Sequence, residues 1–233
     1  MQLFLSLERP THVQPSQRVL RVAGMFGLGV DETKRITIIP QAQLELRAGM
    51  VVFITGPSGG GKSSLLRLIA EAAAKEPGVC VISFDALPPL AEVPIVDALL
   101  PGGDESMLPR VLELLSIVGL ADAFVILRRP GELSDGQRYR LRLAQCIAAC
   151  EHETENLHLI LADEFGATLD RITAMIIARN LRNWTRRSKV PVCFIAATTH
   201  DDLLEALEPD VLIEKGLGAA MEVAVRLDPS RQA

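Results

Sequence analysis

A glycine-rich segment that ends in lysine and serine carries the strongest chemical signal in the sequence. It follows the short apolar run Val51–Thr55 and precedes a helical run that begins at Ser64. Backbone N–H groups in such a loop curl around a phosphate, and the dipole of the following helix favours the same anion. Lys62 would add a positive charge beside the β- and γ-phosphates, and the Ser63 hydroxyl is a hard oxygen ligand for Mg²⁺. The pattern G-x-x-x-x-G-K-[ST] predicts a nucleotide-binding segment made of Gly56, Pro57, Ser58, Gly59, Gly60, Gly61, Lys62, Ser63 and Ser64.

Two adjacent carboxylates end the apolar run Leu157–Ala162 further along the chain. Because side chains alternate along a strand, Asp163 and Glu164 would point to different sides. Asp163 then suits the Mg²⁺ shell, and Glu164 suits the base that polarises an attacking water. An apolar run before Asp-Glu is common, so this interpretation depends on the phosphate-binding segment upstream. Together the two motifs predict hydrolysis of a nucleoside triphosphate with Mg²⁺ as cofactor.

A third motif points to one family. The segment Leu133-Ser134-Asp135-Gly136-Gln137 resembles the LSGGQ signature of ABC ATPases and lies between the first two motifs. Ser134 is predicted to cap the helix that follows. The resemblance implies that a second subunit presents this helix end to the γ-phosphate, so that Ser134, Gly136 and Gln137 complete the ATP site of a partner chain. It also implies a homodimer that forms on ATP binding.

Three more site residues follow from the same resemblance. Residues Asp163–Asp170 align with the family's D-E-P-T-S-A-L-D, which puts Asp170 in the D-loop at the dimer interface. His200 follows the apolar run Val192–Ala197 and resembles the switch histidine that contacts the γ-phosphate. Phe26 is either the aromatic residue that stacks on adenine or an ordinary loop aromatic, and the sequence leaves both open.

The chain departs from the family in the region that contacts the membrane subunits of transporters. The family's Q-loop glutamine should follow the run Val79–Ser83, but the sequence has Asp85 there, which either substitutes as a metal-shell ligand or marks a lost position. The interval from Lys62 to Ser134 is also shorter than is usual in transporter ATPases. Both departures favour an ATPase that acts on an unknown, non-membrane protein. The alternative is the ATP-binding subunit of an ABC transporter, coupled to separate membrane subunits.

A narrower resemblance supports the non-membrane interpretation. The segments Leu127–Tyr139, Asp163–Asp170 and Thr198–Asp202 look like a bacterial group of non-transport ABC ATPases that are often fused to an acetyltransferase-like domain. No such domain fits within this chain, so the resemblance concerns the ATPase part alone.

The order of the strands and helices that must position these residues predicts an α/β fold. The expected class is the P-loop NTPase fold, with a mostly parallel sheet of ABC-ATPase type. Short apolar runs alternate with helical stretches, and several runs are apolar at every position, as in central parallel strands. Residues 87–133 are rich in proline and leucine, and they predict a compact helical lobe inserted into a core of residues 21–86 and 134–233. Residues 1–20 are predicted to form an N-terminal extension. The predicted strands are Leu44–Leu46, Val51–Thr55, Val79–Ser83, Leu157–Ala162, Val192–Ala197, Asp210–Glu214 and an edge strand at Glu222–Leu227.

Amino-acid composition and charge limit the expected domain size, location and partners. The chain has 233 residues, of which 48% are hydrophobic, enough for one domain of two lobes. No run approaches the ~20 apolar residues of a membrane-spanning helix, and the first residues lack the order of a secretory signal, so the expected location is the cytoplasm. A net charge of −5 argues against nucleic acid as a partner. The four cysteines lack metal-ligand spacing and are expected to be buried apolar residues.

Overall fold

Strands and helices alternate along most of the chain in the computed structural model, which describes residues 1–11, 16–29, 34–100, 104–151 and 155–226. The strands are β1 (Gln2–Thr11), β2 (Lys34–Glu45), β3 (Val51–Thr55), β4 (Val79–Ser83), β5 (Leu157–Ala162), β6 (Val192–Ala197), β7 (Val211–Lys215) and β8 (Met221–Val225). The α-helices are α1 (Gln17–Met25), α2 (Lys62–Ala73), α3 (Ile95–Ala98), α4 (Leu108–Ile117), α5 (Ala123–Ile126), α6 (Asp135–Cys150), α7 (Arg171–Arg187) and α8 (Leu204–Leu207).

A six-stranded sheet forms the centre of the fold, in the order β4-β5-β6-β3-β7-β8. All its pairs are parallel except the edge pair of β7 with β8. β3 is buried along its whole length because both faces of the sheet are covered. Val51 and Phe53 join the core that includes α6 and α7, whereas Val52 and Ile54 join the core that includes α2. The predicted α/β fold with a mostly parallel sheet is confirmed.

The central strands lie where the sequence predicts them. β3, β4, β5 and β6 have the predicted limits, and β7 and β8 differ slightly from theirs. In β3, β5 and β6 the local apolar pattern and the buried environment agree, whereas the edge strands β4 and β8 are more exposed. The described residues between 87 and 133 form α3, α4, α5 and short 3₁₀ turns, with no strand. None of the helices in the described part of the chain has the length and apolar character needed to cross a bilayer.

The N-terminal segment differs from its prediction as an extension. β1 pairs antiparallel with β2, and the side chains of Leu3 and Leu5 are buried in the same core as Leu44. β2 is also much longer than the predicted Leu44–Leu46. β1 has leucine at alternate positions 3, 5 and 7, and β2 has the β-branched run Ile36–Ile39 before Pro40, so each contains a local strand signal. The two strands become stable by pairing with each other, which a local pattern does not reveal.

A buried ion pair joins α7 to the central sheet. The Arg182 side chain is 2% exposed, and its guanidinium donates to the Asp210 carboxylate at 2.5 Å and 3.1 Å. The same carboxylate accepts a hydrogen bond from the Val51 N–H at 2.8 Å. Burial acts to raise the pKa of Asp210, but the hydrogen bonds from Arg182 and Val51 and the charges of Arg182 and Arg186 outweigh it. The pKa of Asp210 therefore lies below its usual value.

We expect Asp210→Asn to lower the free energy of unfolding by about 3 kcal/mol at neutral pH, because it leaves the Arg182 charge buried without its partner. Since the folded-state pKa is depressed, the carboxylate stabilises the fold above its unfolded pKa of about 4. That contribution is lost as the pH falls through the folded-state value. Urea unfolding at neutral pH and near pH ~3 should therefore show a gap between wild type and variant that narrows in acid.

A matched control is Glu45→Gln. The pair of Glu45 with Arg47 is exposed, and exposed pairs contribute less than about 1 kcal/mol. An Asp210→Asn variant that is as stable as Glu45→Gln, or a gap that stays the same in acid, would contradict the prediction.

Candidate active site

The glycine-rich segment joins the end of β3 to the start of α2. Gly61 has a φ of 98° and occupies the N-cap of α2 with no side-chain cap, so the first N–H groups of the helix remain available to an anion. The Lys62 ammonium folds across the loop and donates to the carbonyls of Gly56 and Pro57 at 2.8 Å and 2.9 Å. The loop therefore offers both backbone N–H groups and a positive charge to a phosphate.

The same loop lies directly against the end of β7. A Cβ atom at Gly56, where φ is 135°, would lie 2.1 Å from the Lys215 carbonyl oxygen, and one at Gly60 would lie 2.7 Å from it. Only glycine fits at either place. The Lys215 side chain is fully buried, and its ammonium donates to three carbonyls of the β7–β8 turn at 2.7 to 3.2 Å. Lys215 fixes the turn that contacts the loop, and no sequence motif contains it.

One cavity of about 490 Å³ brings the phosphate-binding segment and the carboxylates together. Lys62 and Ser63 line it from the start of α2, and Asp163 and Glu164 line it from the end of β5. The other described residues in its wall are Ser58, Gly59, Gly61, Ser64, Ala167, Ala197, Thr198 and Thr199. The parallel strands β3, β5 and β6 all end at this edge, which is where α/β sheets bind their ligands.

The donor set of this cavity suits Mg²⁺ held together with a nucleotide. The Ser63 hydroxyl and the Asp163 carboxylate are hard oxygen ligands in the same wall. Mg²⁺ keeps several waters and takes further ligands from substrate phosphates. Within the described ranges, no cluster of three or more His, Cys, Asp or Glu side chains could hold a metal by itself. These residues fit a magnesium ion that enters with its nucleotide.

Glu164 has a backbone conformation that few residues other than glycine adopt. Its φ is 47°, and its carbonyl accepts a hydrogen bond from the Ala167 N–H at 3.0 Å, which closes a turn. Phe165 stands where the family has proline, and its N–H donates to the Ala197 carbonyl at 2.9 Å. Its ring is fully buried and meets Phe194 edge-on at 5.4 Å. These contacts hold a costly turn that presents the carboxylate at the cavity.

The signature segment begins α6. The Ser134 hydroxyl accepts a hydrogen bond from the Gln137 N–H at 3.3 Å, and the Gln137 side chain accepts one from the Ser134 N–H at 3.0 Å. Ser134 is thus the N-cap of a capping box. A Cβ atom at Gly136 would lie 3.4 Å from Leu169, so this helix end contacts the D-loop of its own chain. None of residues 134–137 is among the described residues that line the nucleotide cavity.

The segment that contains His200 is anchored to β3. The Thr198 N–H donates to the Ile54 carbonyl at 3.0 Å, and the Thr55 hydroxyl donates to the Asp201 carboxylate. His200 is half-buried between these two anchors, directly after a residue of the cavity wall. These two bonds tie the segment around His200 to the end of β3, and the sequence motifs do not predict them. His200 itself is not among the described residues of the cavity wall.

Six other predicted site residues lie outside the described cavity wall, namely the loop residues Gly56, Pro57 and Gly60, and Asp170, Asp85 and Phe26. Asp170 is the N-cap of α7, and the hydrogen bond from Thr173 lowers the pKa of its carboxyl. Asp85 is exposed in the short 3₁₀ turn Phe84–Ala86. Phe26 is 74% exposed at the end of α1, and its N–H is bonded within that helix. The structure therefore brings neither Asp85 nor Phe26 to the described nucleotide cavity.

α6 makes two further connections that the motifs do not predict. Arg142 donates to the carbonyls of Phe84 and Leu87 at 2.7 Å and 2.8 Å, which fixes the segment after β4. Tyr139 accepts a hydrogen bond from the Gly166 N–H at 2.9 Å, in the turn after Glu164. The sequence feature that could have indicated these contacts is a tyrosine and an arginine three residues apart on one helix face, just after the signature.

Comparison with known proteins identifies the family. The model of the ABC transporter family matches residues 39–165, more than half of the chain. A sulfate/thiosulfate import ATP-binding protein from Nocardia farcinica is 32% identical over 188 residues, which are 71% of this chain and 53% of that protein. A lipoprotein-releasing system ATP-binding protein from Nitrobacter hamburgensis is 28% identical over 214 residues, which are 79% of this chain and 88% of that protein. The chain spans little more than half the length of the sulfate-import relatives it matches.

A solved structure agrees on the fold. The dimeric structure of a bacterial ABC transporter cassette superimposes with a TM-score of 0.63 at 18% identity, covering 98% of this chain and 100% of that one. The relatives named here belong to transport systems, and none of them supports the resemblance to the acetyltransferase-fused group. The family match contains the phosphate-binding loop and the Asp163-Glu164 pair. The chain therefore belongs to the ABC transporter family and carries its ATP-binding and ATP-hydrolysing domain.

Proposed function

We propose that two copies of this chain bind ATP between them, and that its hydrolysis drives a membrane-spanning partner. The catalytic part of this proposal is supported by one observation: Lys62, Ser63, Asp163 and Glu164 line the same cavity. Lys62 and the N–H groups of the loop would hold the β- and γ-phosphates. Ser63 and Asp163 would hold Mg²⁺, which offsets the charge that develops on the phosphates. Glu164 is exposed at the rim, where its carboxylate can take up a proton from the attacking water.

The dimer is inferred from where the signature lies. Ser134 is exposed at the start of α6, and residues 134–137 are absent from the described wall of the chain's own nucleotide cavity. A helix N-terminus is an anion site, so this one suits the γ-phosphate of ATP held by a second copy. Asp170 caps the next helix, and its D-loop contacts Gly136, so it would lie at the same interface. His200 would approach the γ-phosphate from the β6 end of its own chain.

A second cavity offers a docking site for a partner protein. It has a volume of about 530 Å³ and lies between α3, α4, the end of α6 and the segment after Asp85. Its wall is mostly apolar, and its charged residues are Asp104, Arg110 and Glu151. An apolar groove with a charged rim suits an amphipathic helix of another protein. The matched relatives are subunits of import and release systems by name, which favours the transporter alternative.

A pair of substitutions at this cavity tests the partner. Met107 lines the cavity and is 46% exposed, whereas Leu112 lies nearby on α4, is 41% exposed and is outside the described wall. We expect a tagged wild-type chain to co-purify stoichiometrically with a multi-span protein from membranes of the source cells. Met107→Glu should reduce that recovery about tenfold or more, because it places a charge in the apolar contact. Leu112→Glu should leave it unchanged.

Basal ATP hydrolysis should be the same for both variants, because neither residue lies in the wall of the nucleotide cavity. Recovery of a stoichiometric partner without membrane spans would support the non-membrane alternative, which Asp85 and the short helical lobe favour. Equal recovery of the partner with both glutamate variants would show that this cavity is not the docking surface.

A further inference from the structure

The turn that presents Glu164 is fixed from two sides. On one side the Phe165 N–H is bonded to β6 through the Ala197 carbonyl. On the other side the next N–H, that of Gly166, donates to the Tyr139 hydroxyl at 2.9 Å. This second bond is buried and joins residues that lie 27 positions apart. Since a left-handed residue such as Glu164 persists only where its surroundings fix it, both bonds bear on the direction of the carboxylate.

Tyr139 is itself held rigidly. Its ring packs on Phe84 with centroids 4.8 Å apart, and the residue is 9% exposed. Burial raises the pKa of Tyr139, so the phenol remains neutral. One turn further along α6, Arg142 lies 5.8 Å from the centre of the Phe84 ring and is bonded to the segment after β4. The hydroxyl of Tyr139 therefore has a fixed place from which to hold the turn.

We propose that Tyr139 is a positioning residue for ATP hydrolysis: its hydroxyl holds the Gly166 turn and thereby aims the Glu164 carboxylate at the attacking water. The inference rests on the proposed role of Glu164 as the base. It adds a direct mechanical connection between the signature and Glu164, because the helix that carries Tyr139 is capped by the signature residue Ser134. A signature helix pulled toward the ATP of a partner chain would carry the turn of Glu164 with it.

The test is Tyr139→Phe, which keeps the ring and its packing on Phe84 and removes only the oxygen. We expect kcat to fall about tenfold, because small displacements of a catalytic group are costly. The KM for ATP should stay within about twofold, because Tyr139 does not touch the described nucleotide cavity. Hydrogen exchange of the Gly166 amide should become faster, which reports loss of the bond independently of activity.

A double-variant cycle separates positioning from general destabilisation. In a Glu164→Gln background, Tyr139→Phe should slow hydrolysis no further, because the group that it positions is already absent. Asn180→Ala is the matched structural control. It removes a side-chain donor to the Ile117 carbonyl at 3.0 Å, away from the described nucleotide cavity. That variant should lower the melting temperature and leave kcat unchanged.

Two outcomes would overturn the inference. The first is a Tyr139→Phe variant with wild-type kcat, whatever its KM. The second is a tenfold loss that persists in the Glu164→Gln background. If Glu164→Gln alone fails to slow hydrolysis, the proposed role of Glu164 falls together with this one. If Glu164→Gln is slow and Tyr139→Phe is not, only the role of Tyr139 is overturned.

Discussion

Replacing Glu164 with glutamine is expected to lower kcat for ATP hydrolysis by about 10²–10⁴-fold, while ATP still binds. Glutamine keeps the size of the side chain and cannot accept the proton of the attacking water. Lys62, Ser63 and Asp163, which line the cavity with Glu164, remain in place to hold the nucleotide and its magnesium ion. Because ATP joins the two chains in the proposed dimer, blocked hydrolysis should also let the ATP-bound dimer accumulate.

Phosphate release at saturating ATP measures the first effect, and size exclusion with ATP and Mg²⁺ measures the second. Glu71→Gln is the control, because Glu71 is exposed on α2 and lies outside the described wall of the cavity. It should hydrolyse ATP as the wild type does and form no trapped dimer. A Glu164→Gln variant that binds ATP normally but remains a monomer would contradict the ATP-sandwich arrangement. A Glu164→Gln variant that retains wild-type kcat would show that another residue is the base.

The parts of the fold that the sequence predicts well are those in which local pattern and tertiary environment agree. β3 is the clearest example, since all of its residues are apolar or β-branched and all are buried under both faces of the sheet. The position of Ser134 is another, because an N-cap serine with glutamine three residues later is a local signal that needs no distant partner. In both places the chemistry of a few adjacent residues determines the structure.

The parts that the sequence does not predict depend on contacts between distant segments. β1 is stable because it pairs with β2, and the core that buries Leu3 and Leu5 includes residues from several strands. Lys215 supports the phosphate-binding loop from more than 150 residues away, through a carbonyl whose place is set by β7. The bond between Gly166 and Tyr139 is of the same kind. Such contacts follow from the packing of strands and helices, which no local motif encodes.

Mixing two inactive variants should restore ATP hydrolysis if the signature works on the ATP of a partner chain. Lys62→Met removes the charge that meets the phosphates, and Ser134→Arg blocks the exposed end of α6. Each change alone should lower kcat about 100-fold or more, because each removes groups that face the γ-phosphate in the transition state. A heterodimer of the two contains one intact site, formed by the unmodified loop of one chain and the unmodified signature of the other. Random pairing then predicts recovery of about a quarter of wild-type activity.

The control is a mixture of Lys62→Met with Glu164→Gln. Both substitutions damage the side of the site that holds the nucleotide, so every heterodimer has two defective sites and the mixture should remain inactive. This contrast makes the result specific to the signature, because general stabilisation by mixing would raise both mixtures equally. If the mixture of Lys62→Met with Ser134→Arg is no more active than its components, the signature does not act in trans. Ser134 would then be an N-cap for α6 with no direct part in hydrolysis.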